Sequence, residues 1–290
     1  MKRIAYFFKS ILPCLLMLVL QAAVVIPVGV LYAFLKAGDD SFALSNILDL
    51  LTGTISDTGF SQTVNLVYGL LALLIFGLWY RRVFVRPFRH KKRENWPTGF
   101  SFHTMMSILF LAIGLQYVTI LVVNVTSSLR PDWLTTYNAL MESTGYGSLS
   151  LPLIMYSVLL APVAEELIFR GLIFRYARQA FPFWIANIWQ SLLFGLVHGN
   201  FIQGIYAFVM GLFLGFLCHR GRGIKYSIPV HIIYNIIGIW YSELIGLTTS
   251  LSYTIAVGLG VALTVFAVWL FYTDFTPAHA QQHNMYGKRH

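Results

Sequence analysis

The 290-residue chain is 57% hydrophobic and 11% charged, with a formal net charge of +9 and a mean hydropathy of +0.69. A soluble domain carries about a quarter charged residues, so this composition excludes an ordinary soluble enzyme and predicts a polytopic, all-α membrane protein. The basic excess does not point to nucleic acid. Its Lys and Arg residues sit in short segments beside apolar runs, the pattern of membrane topology and of attraction to anionic lipid.

Eight apolar segments follow in chain order, roughly 11–35, 62–80, 104–126, 150–178, 182–198, 201–219, 228–246 and 251–272. The first continues past Pro27 to Leu35, longer than the apolar region of a signal peptide, and is predicted as an uncleaved span. A polar loop over 37–61 holds Asp39, Asp40, Asp49 and Asp57. No internal repeat or linker divides the chain, so 1–290 is expected to form one membrane domain. Cys14 and Cys218 lie in different apolar stretches, without a CxxC or a disulfide framework. Gly211 and Gly215 stand at GxxxG spacing and predict a close helix seam.

Charge orients these spans. Lys2, Arg3 and Lys9 precede the first, and "RRVFVRPFRHKKR" (81–93), with seven Lys or Arg, follows the second. Arg170, Arg175 and Arg178 end the fourth, "HRGRGIK" (219–225) ends the sixth, and Lys288 and Arg289 follow the eighth. If all eight segments cross, these groups fall on one side, which places both termini in the cytoplasm of a multi-pass cell-membrane protein. The opposite loops carry acidic residues, with Lys36 and Arg130 their only basic ones. The 81–93 stretch is a candidate for anionic headgroups. His90 and His219 read as members of basic loops, and His103 as interfacial. His279, His283 and His290 sit in a polar tail. Trp79, Tyr80, Trp240 and Tyr241 read as aromatic-belt residues.

The apolar segments contain polar groups that hydrocarbon does not favour: Glu165, Glu166, His198, His231 and Asn235. If Pro152 opens span four at a first-turn position, Glu165 lies ~20 Å along it at 1.5 Å per residue, past the midplane of a core about 30 Å thick. If Ser227 caps span seven, His231 and Asn235 sit one to two turns inside the cytoplasmic face. Being four residues apart, they share a helix face. A Glu pair and a His/Asn pair then meet at one depth, across a polar cavity open to the cytoplasm. His198 joins them only if the short fifth span is tilted or starts deep.

Such a group suits water attack on a peptide carbonyl without a covalent intermediate. A carboxylate beside a like charge in low dielectric holds its proton more firmly and so works as base and acid near neutral pH. A neutral histidine can position the water. A second histidine and an asparagine amide can donate to the developing oxyanion. Arg170, one turn beyond Glu166, can pair with one glutamate and leave the other to titrate.

"EELIFR" (Glu165, Glu166, Arg170) reads as EExxxR, "FGLVH" (Phe194, His198) as FxxxH, and "HIIYN" (His231, Asn235) as HxxxN. In this order within a membrane protein they resemble the CAAX protease and bacteriocin-processing (CPBP, or Abi) family of intramembrane glutamate proteases. The resemblance covers about 150–246 as a catalytic core; spans in 1–149 have no assigned role. It implies a metal-independent intramembrane endopeptidase with no cofactor. In that scheme Glu165 or Glu166 activates water with His198, His231 and Asn235 form the oxyanion side, and Arg170 supports them. The implied substrate is a membrane-associated protein or peptide.

Three other readings compete. A zinc protease would use Glu and His ligands, but HExxH is absent. A proton-coupled transporter would also bury carboxylates and histidines, but inverted repeats are absent. A catalytically silent immunity protein that sequesters a peptide keeps the fold without the reaction; it lacks a chemical reason to retain both glutamates, both histidines and the asparagine.

Overall fold

A computed structural model describes residues 2–37, 57–88, 99–146, 149–244 and 250–275. These are helical, with no strand among the described residues. In chain order the helices are α1 (Lys2–Ala37), α2 (Thr58–Tyr80), α3 (Phe102–Leu129) and α4 (Pro131–Ser143), then α5 (Leu151–Ala180), α6 (Phe183–Leu196), α7 (Phe201–Arg220), α8 (Ser227–Leu244) and α9 (Ser250–Asp274). All eight apolar segments became helices, as lipid requires of a backbone that must satisfy itself. Helix α4 was not foreseen: its sequence "PDWLTTYNALMES" is less apolar than the spans, and its helix-start signals are the opening proline and Asp132 in the first turn.

Residues 38–56 of the loop 37–61, the basic residues 89–93 with His90, and the tail with His279, His283, Lys288, Arg289 and His290 lie outside the described residues. Residues 81–88 extend α2 as a π-turn (Arg81–Val85) and a 3₁₀ turn (Arg86–Phe88).

Side-chain caps start the helices where the sequence offers an oxygen. Asp57 accepts from the Gly59 and Phe60 amides at 2.7 and 3.3 Å, Ser101 from Thr104 at 3.0 Å, Ser150 from Leu153 at 3.3 Å and Asn200 from Gln203 at 2.8 Å. Ser227 departs from its expected capping role. It is the first helical residue, and its hydroxyl donates back to the Ile224 carbonyl at 3.2 Å.

Among the described residues, six helices are long and apolar enough to cross a membrane: α1, α2, α3, α5, α7 and α9. The apolar parts of α6 and α8, Phe183–Leu196 and Ser227–Trp240, are shorter. A 14-residue helix is about 21 Å long at 1.5 Å per residue, short of a core about 30 Å thick. The core of the bundle includes Phe76, Leu111, Ile168, Phe169, Leu172, Phe194 and Leu214, all essentially sealed. Gly211 and Gly215 do form a seam, against α6: a Cβ on Gly215 would stand 1.9 Å from Asn187 Oδ1. There the α6 amides cross to α7 carbonyls, Asn187 to Leu212 and Gln190 to Gly211, at 3.0 and 2.9 Å. Trp79, half-buried near the end of α2, stacks on Phe76 and donates to the Tyr176 hydroxyl at 3.2 Å.

Candidate active site

Helix α5 is not a regular α-helix. It contains two π-segments, Met155–Leu160 and Glu166–Ile173, where main-chain bonds span five residues instead of four. Such widened turns are frequent at functional sites. Pro162 accounts for the first, because its ring removes a donor and crowds the preceding turn. Glu165 closes the short α-turn between the two segments and Glu166 opens the second.

The two glutamates have different surroundings. Glu166 and Arg170 are fully buried, with Arg170 Nη1 donating to Glu166 Oε1 at 2.9 Å. His231 Nδ1 meets the same oxygen at 3.1 Å. The other imidazole nitrogen, Nε2, stands 3.5 Å from Glu165 Oε2, and the Glu165 side chain is 26% exposed. One imidazole therefore bridges the pair, and only Glu165 is open. Among the described residues, Glu166 Oε2 and Arg170 Nε and Nη2 are buried without a hydrogen-bond partner. Charge balance explains the pairing: an isolated buried carboxylate costs far more than one held by a guanidinium.

Phe194 organises the cluster. The Arg170 guanidinium lies 4.4 Å from its ring centroid. Phe169, His198 and His231 meet the same ring edge-on at 4.9, 5.0 and 5.9 Å. Beyond the FxxxH spacing, nothing in the sequence marks Phe194 for this part.

His198 reaches the cluster because α6 stops short. It lies in the turn after Leu196, and Gly199 follows at φ +73°. Glu166 lies about fifteen residues before the Phe181–Pro182 turn and His198 about sixteen after it, so antiparallel packing of α5 and α6 brings them level. His198 Nδ1 is 2.7 Å from the Phe194 carbonyl. A carbonyl only accepts, so Nδ1 carries a proton there, and Nε2 of the neutral ring is the acceptor.

Asn235, on the same face of α8 as His231, donates its amide to the Ser157 carbonyl at 2.7 Å. Both residues thus contact α5, as their spacing predicted. Three tyrosines missed at the sequence level, Tyr68, Tyr146 and Tyr156, lie within electrostatic reach of Glu165. Residues with aromatic bodies are too frequent in this chain for composition to single them out. Among the described residues no three His, Cys, Asp or Glu side chains converge as metal ligands.

Apolar grooves elsewhere are of a different kind. One of about 730 Å³ runs between α3 and α9, lined by Ile113, Tyr117, Ile255, Leu259, Leu263 and Phe266. It contains none of the cluster residues and has the chemistry of a lipid-facing surface.

Residues 147–237 match the family described as type II CAAX prenyl endopeptidase Rce1-like. Over 83 residues the chain is 31% identical to a Bacillus subtilis (strain 168) protein named "Putative membrane peptidase YdiL", covering 29% of this chain and 34% of that protein. The match thus spans about a third of the length of that curated relative. No solved structure matches the chain. The stretch that carries Glu165, Glu166, Arg170, His198, His231 and Asn235 is therefore similar to CAAX prenyl endopeptidases, and the motif resemblance holds over it.

Proposed function

We propose that the chain is an intramembrane endopeptidase in which Glu165 activates water for attack on a peptide bond of a membrane-associated protein or peptide. The observation that carries this reading is the asymmetry of the glutamate pair. Arg170 and His231 both hold one oxygen of Glu166, while Glu165 stays partly exposed beside His231 Nε2.

In this mechanism a water lies between Glu165 and His198. It donates one hydrogen to the Glu165 carboxylate and the other to His198 Nε2, and these two bonds aim a lone pair of the water oxygen at the substrate carbonyl. Glu165 takes the proton as the C–O bond forms and hands it to the leaving nitrogen as the C–N bond breaks. An asparagine amide has two N–H groups. One is spent on the Ser157 carbonyl; the second donates to the oxyanion. His231, tied to Glu166 through Nδ1, keeps its ring edge at Glu165 and beside that oxyanion. Arg170 and Glu166 form the buried base on which the reacting groups stand. The chemistry is metal-independent and needs no cofactor.

The rest of the reading rests on charge and sequence. Residues 150–246 act as the catalytic core of a single membrane domain. Both termini are cytoplasmic, in a cell membrane, and the chamber opens to that side. Arg81, Arg82 and Arg86, all exposed, begin a basic stretch that meets anionic headgroups. The similarity to prenyl endopeptidases favours a substrate carrying an apolar anchor.

Peptide ends in membranes can be compared by mass spectrometry between cells with the wild-type chain and cells with Glu165→Gln at matched abundance. Ends that arise only with wild type, and survive a chelator, support the mechanism. Their absence, together with full rescue of a deletion phenotype by Glu165→Gln, would favour the silent peptide-binding protein. Ends lost on chelation would favour a metalloprotease.

A further inference from the structure

The Ser157 carbonyl has lost both of its main-chain donors. In a regular α-helix its partner is the N–H of Ala161, but that N–H bonds to the Tyr156 carbonyl, five residues back. In the widened register the next donor is residue 162, which is Pro162 and has none. Ser157 is buried, and a carbonyl left unpaired in an apolar interior costs several kcal/mol. Asn235 supplies the missing donor from α8, at 2.7 Å. The proline, the π-segment and the asparagine are thus parts of one joint between α5 and α8.

We infer that Pro162, outside all three motifs, is a positioning residue that orients Asn235 for the oxyanion by keeping the Ser157 carbonyl free to anchor its amide. The inference rests on the oxyanion role assigned to Asn235 above. One N–H held on Ser157 fixes the plane of the amide. The second N–H then points along a set direction instead of sweeping through rotamers. A donor aimed in advance at the place where charge develops needs no reorganisation at the moment of reaction, and small misplacements of such groups cost large factors in rate.

Pro162→Ala tests this without threatening the fold, because alanine is the residue best tolerated inside a helix. The new N–H competes for the Ser157 carbonyl and releases Asn235. The expected result is a fall in kcat of roughly 10–100-fold with KM unchanged, and no further fall when Pro162→Ala is added to Asn235→Ala. Equal kcat for wild type and Pro162→Ala, or losses that multiply in the double variant, would overturn the inference. Stability gives a second readout that needs no activity. Asn235→Ala should lower Tm clearly in the wild-type background and much less in Pro162→Ala, where the main chain satisfies Ser157; equal drops would remove the joint. If Asn235→Ala alone leaves kcat intact while these Tm differences appear, the oxyanion reading fails and the joint stands.

Discussion

Glu165 and Glu166 are neighbours in sequence, yet they call for opposite outcomes on neutralisation. Glu165→Gln removes a partly exposed carboxylate whose closest basic neighbour is His231 Nε2 at 3.5 Å. It should abolish peptide-bond cleavage and leave thermal unfolding in detergent nearly unchanged. Glu166→Gln strands the buried Arg170 guanidinium, paired at 2.9 Å. Breaking a buried pair from one side costs about 3–5 kcal/mol, so this variant should unfold at a clearly lower temperature. Equal stability of the two variants would mean that Arg170 finds another partner. Phe194 makes a comparable case, because one ring supports Arg170, His198 and His231. Phe194→Leu keeps an apolar side chain but gives up the cation–π contact, worth about 2 kcal/mol when desolvated. It should lower both Tm and kcat; a drop in Tm alone would confine the ring to packing.

Among the elements, the α6–α7 hairpin decides whether the site can form. Its turn puts Gly199 at φ +73°, a region that costs other residues about 1–2 kcal/mol. Gly199→Ala should therefore reduce stability by that order and displace His198, which shows as a kcat loss larger than the stability change would suggest. Along the same hairpin Gly215 has no room for a side chain, since Asn187 Oδ1 would stand 1.9 Å from its Cβ. Gly215→Val should part the two helices and lower Tm, whereas Gly258→Val on α9, with nothing within 4 Å of its Cβ position, should leave Tm unmoved. If both behave alike, the seam is not close-packed. Helix α1, without a site residue of its own, contributes here as well: Ser10 accepts from Trp189 Nε1 of α6 at 3.1 Å.

For the whole molecule, the testable statement is its orientation. Cysteine placed at Arg82 and at Thr135, both exposed, should react with an impermeant thiol reagent from opposite sides, Thr135 from outside the cell and Arg82 from within. Cys14 and Cys218 are buried and should stay silent. Labelling of both sites from the same side would contradict this orientation. Much of this architecture was legible in sequence, because lipid is a uniform solvent that reads composition directly. An apolar run must be helical, a short basic loop orients it, and Glu, His and Asn within the runs stand out against hydrocarbon. The three motifs could be spotted for the same reason, and their residues do meet. What only the tertiary structure decided is which glutamate Arg170 holds, how short α6 is, and that the Asn235 amide binds the Ser157 carbonyl. These depend on register between helices far apart in the chain and on the two π-segments of α5, the first of them set by Pro162. Successive residues point about 100° apart on a helix, so hydropathy sees one Glu pair where packing turns one glutamate inward to a guanidinium and leaves its neighbour partly open.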